Sequence, residues 1–400
     1  MLDFFIKIKY FYSIFFSTHI PVLQMNTYIQ KIESFVDISD GQKIKWLRIF
    51  AILGFVSVSM YAPQLWINTK DFPVIPLIEG IYIANSPFDR YIAYVFFGLL
   101  ISQLFFQRKA IGLLIIAMYI YLCFVDQNRL QPYLYQSIIT LLFIYIFPKE
   151  GRERTIIFGI SLLFFATYFW SGIHKLNEIF YVQWMHALSK HFSFIPKQLL
   201  LIFTYAVPYI EALLGIGLFI DKIRRATVLF IIGMHVIIIG LLFYLGYGYN
   251  VVPWNLQNIF SVFILFWCYQ TRNTAQTFFF NFNYKKGIVI IFTFLLPFSN
   301  LFGVWDHLLS FSYFTSKLNY YYIEINDEEL KQNLPEHIKH FYRTVDTKTV
   351  IYPNEWAGEV NMVLFYPQDR CIHYLDRYLK DYSDKENKDN LTKLVIYNKD

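Results

Sequence analysis

Apolar positions in this chain rarely recur at the spacing of a strand or of an amphipathic helix. They run together in blocks of about 14 to 22 residues. The longer blocks suffice to cross a hydrocarbon core of ~30 Å at ~1.5 Å per residue. They lie at about Trp46 to Leu65, Tyr91 to Phe106, Ala110 to Phe124, Leu134 to Phe147, Thr155 to Ile173, Leu199 to Ile220, Ala226 to Leu245, Val251 to Tyr269 and Gly287 to Val304. The pattern predicts an all-α polytopic membrane helix bundle of about nine spans over residues 43–305. From Asp306 the blocks shorten and charge rises. There "NYYYIEI", "TVIYPNEW", "NMVLFYP" and "LTKLVIY" read as short strands, and "DEELKQNLPEHIKHFYR" and "DRCIHYLDRYLKDY" as helices. Residues 306–400 are therefore expected to form a small α+β tail, with "DKENKDN" a solvated loop. Residues 1–42 read as an N-terminal interfacial or cytoplasmic extension. Lys7 and Lys9 precede an apolar run too short to span comfortably, and no small-x-small cleavage site follows. That segment is either an interfacial extension or an upstream-start artefact, with Met25 the alternative start.

Composition agrees with the pattern: 56% hydrophobic, 21% aromatic and 16% charged, with mean hydropathy +0.38, far from an average soluble domain. The net charge of +6 forms no stripe or tail, so no nucleic-acid partner is expected. Instead the basic residues sort by connection. Lys43, Lys45 and Arg48 open the first span. Arg108 and Lys109, then Lys149, Arg152 and Arg154, then Lys222, Arg224 and Arg225, then Arg272, Lys285 and Lys286, occupy every second connection thereafter. By the positive-inside rule these connections are cytoplasmic. The expected topology has the N-terminus inside, the tail outside and membrane lipid as the surroundings, most naturally a bacterial plasma membrane. Cys123, Cys268 and Cys371 imply no disulfide framework. His337 and His340 lack a third ligand, so no metal is expected. No phosphate loop, dinucleotide fingerprint, nucleophile elbow or zinc-protease motif occurs.

With that topology the unusual polar residues face outward. In "YFWSGIHKLNEIFYVQW" an aromatic span ends in His174 and Lys175. Lys175 either snorkels to the headgroups or is an amine desolvated by Tyr168, Phe169 and Trp170, whose uncharged form would act as a base. His174 beside it is a candidate proton carrier, although neighbouring helical residues point ~100° apart. Glu211 and His235 each lie twelve residues from Ile223 in a helical hairpin, at one depth roughly 15 Å from the inner surface. They form either a functional buried polar pair or a neutral hydrogen bond that fixes packing. Asp126 and Arg129 in "DQNRLQP", and Trp254 and Asn255 at the mouth of the eighth span, are outer-face candidates whose bland readings are a local turn and an aromatic-belt anchor.

"WSGIHKLNEIFYVQW" followed by "LSKHFSFIP" resembles the signature of the vitamin K-dependent gamma-carboxylase family and its relatives, the HTTM (horizontally transferred transmembrane) domain proteins. The matching positions are Ser171 to Asn177, then Leu188, Ser189, Lys190, His191 and Pro196. The resemblance implies Lys175 as the base that deprotonates a reduced quinone of the vitamin K hydroquinone type, with His174 and His191 as further catalytic candidates and epoxidase or carboxylase chemistry at the outer face. His174 stands where the animal enzyme has a lysine, Asn177 replaces an acidic residue, and the tail is short, so a protein substrate is not expected. The rival expectation is a non-catalytic multi-pass membrane component, such as a DoxX-like partner, or a small-solute carrier using the buried Glu211 and His235.

Overall fold

The computed structural model describes residues 38–67, 71–81, 88–147, 152–246, 248–269, 271–280, 282–315 and 320–397. Of the N-terminal extension expected over residues 1–42, positions 1–37, with Lys7, Lys9 and Met25, fall outside these, and residues 40–42 belong to the first helix. Helices α1 (Asp40–Tyr61), α2 (Phe88–Ser102), α3 (Lys109–Val125), α4 (Pro132–Ile146), α5 (Glu153–His174), α6 (Glu178–His191), α7 (Lys197–Gly217), α8 (Arg224–Leu245), α9 (Val252–Phe266) and α10 (Thr271–Phe279) follow in order. Then come α11 (Tyr284–Ile290), a π-turn at Ile291–Leu295 and α12 (Leu296–Asn300).

Each of the nine apolar runs falls on helix, but nine crossings are more than the helix lengths establish. Among the described residues four helices, α1, α5, α7 and α8, are long and apolar enough to cross a membrane. Three local rules explain much of the punctuation. Ser39 caps α1 in a reciprocal box with Gln42: Gln42 N donates to Ser39 Oγ (3.3 Å) and Ser39 N to Gln42 Oε1 (3.0 Å). Pro132 and Pro253 open α4 and α9, where a missing N–H costs nothing. Gly246, at φ 73°, closes α8. The last apolar run is broken because Pro297 has no N–H to offer the carbonyl four residues back. That carbonyl, Thr293 O, is instead taken by the Trp170 indole N–H at 2.9 Å, which ties the broken segment to α5.

The two ends of the bundle differ chemically. At one end the basic residues seal exposed helix carbonyls: Lys43 donates to Cys268 O (3.4 Å), and Arg224 to Leu218 O (2.8 Å) and Tyr269 O (2.6 Å). Arg225 lies over the Trp267 ring. At the other end the non-basic connections knit together, with Leu77 N on Phe124 O (2.9 Å) and Gln127 N on Ile75 O (2.9 Å). The tail seats on these connections. Its strands β1 (Tyr320–Ile325), β2 (Tyr342–Val345), β3 (Lys348–Ile351) and β4 (Thr392–Tyr397) form one antiparallel sheet of order β2-β3-β1-β4, with Ile323 opposite Ile351 and Leu394. Four short helices complete it, α13 (Glu328–Asn333), α14 (Glu336–Lys339), α15 (Pro353–Val360) and α16 (Asp369–Lys380).

Sequence pattern misassigned parts of the tail. "PNEW" starts α15 rather than extending a strand, because Pro353 sits at the first helical turn. "NMVLFYP" is irregular, and "FYR" pairs as β2 instead of continuing a helix. Phe72 and Ile75, from the connection after α1, enter the tail's core beside Trp356, Phe365 and Ile372. Trp356 Nε1 donates to Asp71 O (2.8 Å), Gln131 Nε2 to Leu364 O (2.9 Å) and Asn250 Nδ2 to Met362 O (3.0 Å). Arg370 pairs with Asp306 and donates to Gln127 Oε1 at 2.6 Å.

Candidate functional site

Helices α5 and α7 meet backbone to backbone. A Cβ at Gly172 would lie 2.4 Å from Pro208 O and 2.5 Å from Ala212 N, and one at Gly215 would lie 2.8 Å from Phe169 N. Small residues at such a crossing substitute for the hydrophobic drive that lipid cannot supply. The approach brings Lys175, at the C-cap of α5, onto Glu211 of α7: Nζ to Oε2 is 2.6 Å. Ser171, one turn back on α5, accepts from Lys175 Nζ through Oγ (2.7 Å) and donates the same hydroxyl to Glu211 Oε2 (2.8 Å). Lys175 Nζ also reaches Ser171 O at 3.4 Å. The three groups close a triangle in which the amine's hydrogens point at acceptors. The side chains are 6% and 18% exposed for Lys175 and Glu211.

His235 sits one to two turns of α5 away from this triangle. Its Nε2 faces Tyr168 OH (2.9 Å) and its Nδ1 faces Asn255 Oδ1 (2.7 Å). Asn255 Nδ2 is anchored on Val251 O at 2.9 Å. Glu211 and His235 do lie on one hairpin, but no hydrogen bond joins them among the described residues. Each takes its partner from α5 instead, Glu211 from Ser171 and Lys175, His235 from Tyr168. The chain Tyr168–His235–Asn255 thereby links α5, α8 and α9.

A third polar set, absent from the sequence reading, lies between α4 and α9. Trp254 Nε1 donates to Gln136 Oε1 (2.6 Å), Gln136 Nε2 to Asn258 Oδ1 (2.8 Å), and Ser137 Oγ to Gln257 Oε1 (3.0 Å). Gln257 also presses on α1, where a Cβ at Gly54 would lie 2.0 Å from its Oε1. The signal available in sequence was amides within otherwise apolar runs, since uncompensated amides in hydrocarbon are costly.

The remaining predicted residues scatter. Trp254 is buried within this amide set, not placed as an interfacial belt residue. His174 is buried and stacks on Trp170 with ring centroids 5.7 Å apart, turned away from the Lys175 contact. His191 is exposed at the end of α6. Asp126 and Arg129 do not form a direct ion pair. Asp126 Oδ1 accepts Asn128 N (3.0 Å), Asn128 Nδ2 (3.0 Å) and Ile75 N (3.4 Å). Arg129 donates to Leu65 O (2.9 Å) and Leu122 O (2.9 Å) and lies over Trp66. Burial pushes the Asp126 carboxyl up from its ordinary range, against the pull of the Arg129 charge. These two residues tie the connections after α1 and α3 together. No group of three or more potential metal ligands occurs among the described residues.

Residues 153–265, from the start of α5 to near the end of α9, match the family model described as methylamine utilisation protein MauE, a membrane protein family. The matched segment contains Ser171, Lys175, Glu211, His235 and Asn255. It also contains the whole stretch that resembles the gamma-carboxylase and HTTM signature, and that resemblance is thereby corrected: the family that matches is MauE. No curated protein and no solved structure matches the chain.

Proposed function

We propose that this chain is a non-catalytic multi-pass component of a membrane assembly, with its basic connections cytoplasmic and its α+β tail docked on the extracytoplasmic end. The buried polar sets of the matched segment act in it as locks between helices. Lys175, Ser171 and Glu211 hold α5 on α7; Tyr168, His235 and Asn255 hold α8 and α9 on α5. One observation carries the reading: the Lys175 amine, instead of facing open space as a free base, is closed into a triangle with Glu211 and Ser171 where two helices meet backbone to backbone. An ion pair of this kind specifies which surfaces meet and adds less to net stability than its distance suggests. The reduced quinone and the role of His191 rested on the corrected resemblance and lose their support with it. The matched family's name links its members to methylamine utilisation; what this chain takes from it is membership of a membrane system, with no substrate assigned.

The test replaces the chromosomal copy with the double variant Lys175→Met, Glu211→Leu. A structural lock predicts that this variant accumulates and supports the same growth phenotype as the native chain. An enzyme or proton-coupled carrier predicts folded protein with the null phenotype, and that result overturns the proposal.

A further inference from the structure

A donor-rich cluster at the basic end of the bundle lies outside everything described so far. Gln103 directly follows α2, Tyr145 is the penultimate residue of α4, and Arg48 lies within the first half of α1. All three are buried, Arg48 at 3% exposure and Gln103 at 0%. The Tyr145 hydroxyl donates to Gln103 Oε1 at 2.8 Å and faces the Arg48 guanidinium. The Tyr145 ring is held by α3: a Cβ at Gly112 would lie 2.4 Å from it, so only glycine leaves room. With Oε1 engaged, amide planarity fixes where Gln103 Nε2 points.

Nε and Nη1 of Arg48 and Nε2 of Gln103 have no hydrogen-bond partner, and no carboxylate pairs with Arg48 among the described residues. Elsewhere at this end the cations are satisfied: Lys43 has Cys268 O, and Arg224 has two carbonyls and Asp221. A buried guanidinium with unpaired donors is costly unless an anion meets it. The donor set is specific in kind. It offers only N–H groups, two on the Arg48 guanidinium and one on the Gln103 amide, the complement of an oxyanion, which only accepts.

We propose that Arg48, Gln103 and Tyr145 form a buried binding site for a phosphate group. Such a group has two sources at this level: the phosphodiester of an anionic lipid in the adjacent leaflet, or a soluble phosphate entering from the basic face. Arg48 binds and neutralises the charge, Gln103 contributes the third donor, and Tyr145 positions Gln103.

The experiment uses the full chain, purified and delipidated in detergent, with thermal unfolding as readout. One arm titrates phosphatidylglycerol against a phosphate-free glycolipid; the other titrates inorganic phosphate against chloride at equal ionic strength. The expected result is a saturable rise in melting temperature with at least one phosphate-bearing probe and none with its control. Half-saturation should shift at least tenfold upward in both Arg48→Gln and Gln103→Leu. A response to phosphatidylglycerol alone assigns the lipid source, and a response to inorganic phosphate assigns the soluble one; either supports the site. Gln103→Leu keeps the buried charge, so it decides the matter if Arg48→Gln does not accumulate. The proposal is overturned if neither probe stabilises the native chain, or if Gln103→Leu responds as the native chain does.

Discussion

Glu211→Leu removes the acceptor from a lysine that is 6% exposed and leaves its ammonium with only the two Ser171 oxygens, at 2.7 and 3.4 Å. Breaking a buried pair from one side costs about 3–5 kcal/mol. Ser171 offsets part of this, so the expected loss is about 3 kcal/mol, roughly a hundredfold in the folding equilibrium. Lys175→Met should cost less, about 2 kcal/mol, because Glu211 is 18% exposed and keeps the Ser171 hydroxyl. The double variant Lys175→Met, Glu211→Leu exchanges the pair for apolar side chains of similar volume and should return to within about 1 kcal/mol of the native chain. The coupling across the cycle is then about 4 kcal/mol. Reversible unfolding in mixed detergent micelles, read by tryptophan fluorescence, measures all four proteins. Additive single losses with no recovery in the double variant would refute the claim that the two side chains act on one another.

The same crossing predicts that Gly172→Val loses about 3 kcal/mol or more, seen as a collapse of folded yield on size exclusion, since its side chain has no room against Pro208 and Ala212. Gln136→Leu should destabilise by about 1–3 kcal/mol, because it orphans the Trp254 indole and the Asn258 amide oxygen together; hydrogen exchange of α9 should accelerate. Arg370→Ala should loosen the tail from the bundle by cutting its links to Asp306 and Gln127, read as faster limited proteolysis between the two with helix content unchanged. Burial pushes the Cys371 thiol well above its ordinary value. Peptide-resolved iodoacetamide labelling at pH 8.5 should therefore leave Cys371 unmodified until denaturant is added.

Much of the bundle was legible because hydrocarbon forces apolar residues into long runs, and each run falls on a helix. The count of crossings was not, because α2, α3, α4 and α9 are shorter than a full span, and the last run is broken at the π-turn before Pro297. The tail misread where a local rule beat the alternation of side chains, as Pro353 did by opening α15. Within the site, the hairpin arithmetic set Glu211 and His235 on two successive helices, α7 and α8. It could not reveal that α5 supplies partners to both, because Gly172 and Gly215 govern that approach and a glycine in an apolar run carries no pattern. Lys175 was singled out for being charged; its partner Glu211, thirty-six residues away, was set beside His235 as a buried polar pair, and the hydrogen bond it makes runs to Lys175.

The contact between Lys175 and Glu211 is open to direct measurement. With 15N in the lysine side chain and 13C in the glutamate carboxyl, magic-angle-spinning recoupling in lipid bilayers reads their dipolar interaction. A 2.6 Å Nζ to Oε2 contact predicts strong dephasing that disappears in Glu211→Leu. No dephasing in the native chain, with a lysine nitrogen that exchanges freely with bulk water, would contradict the account.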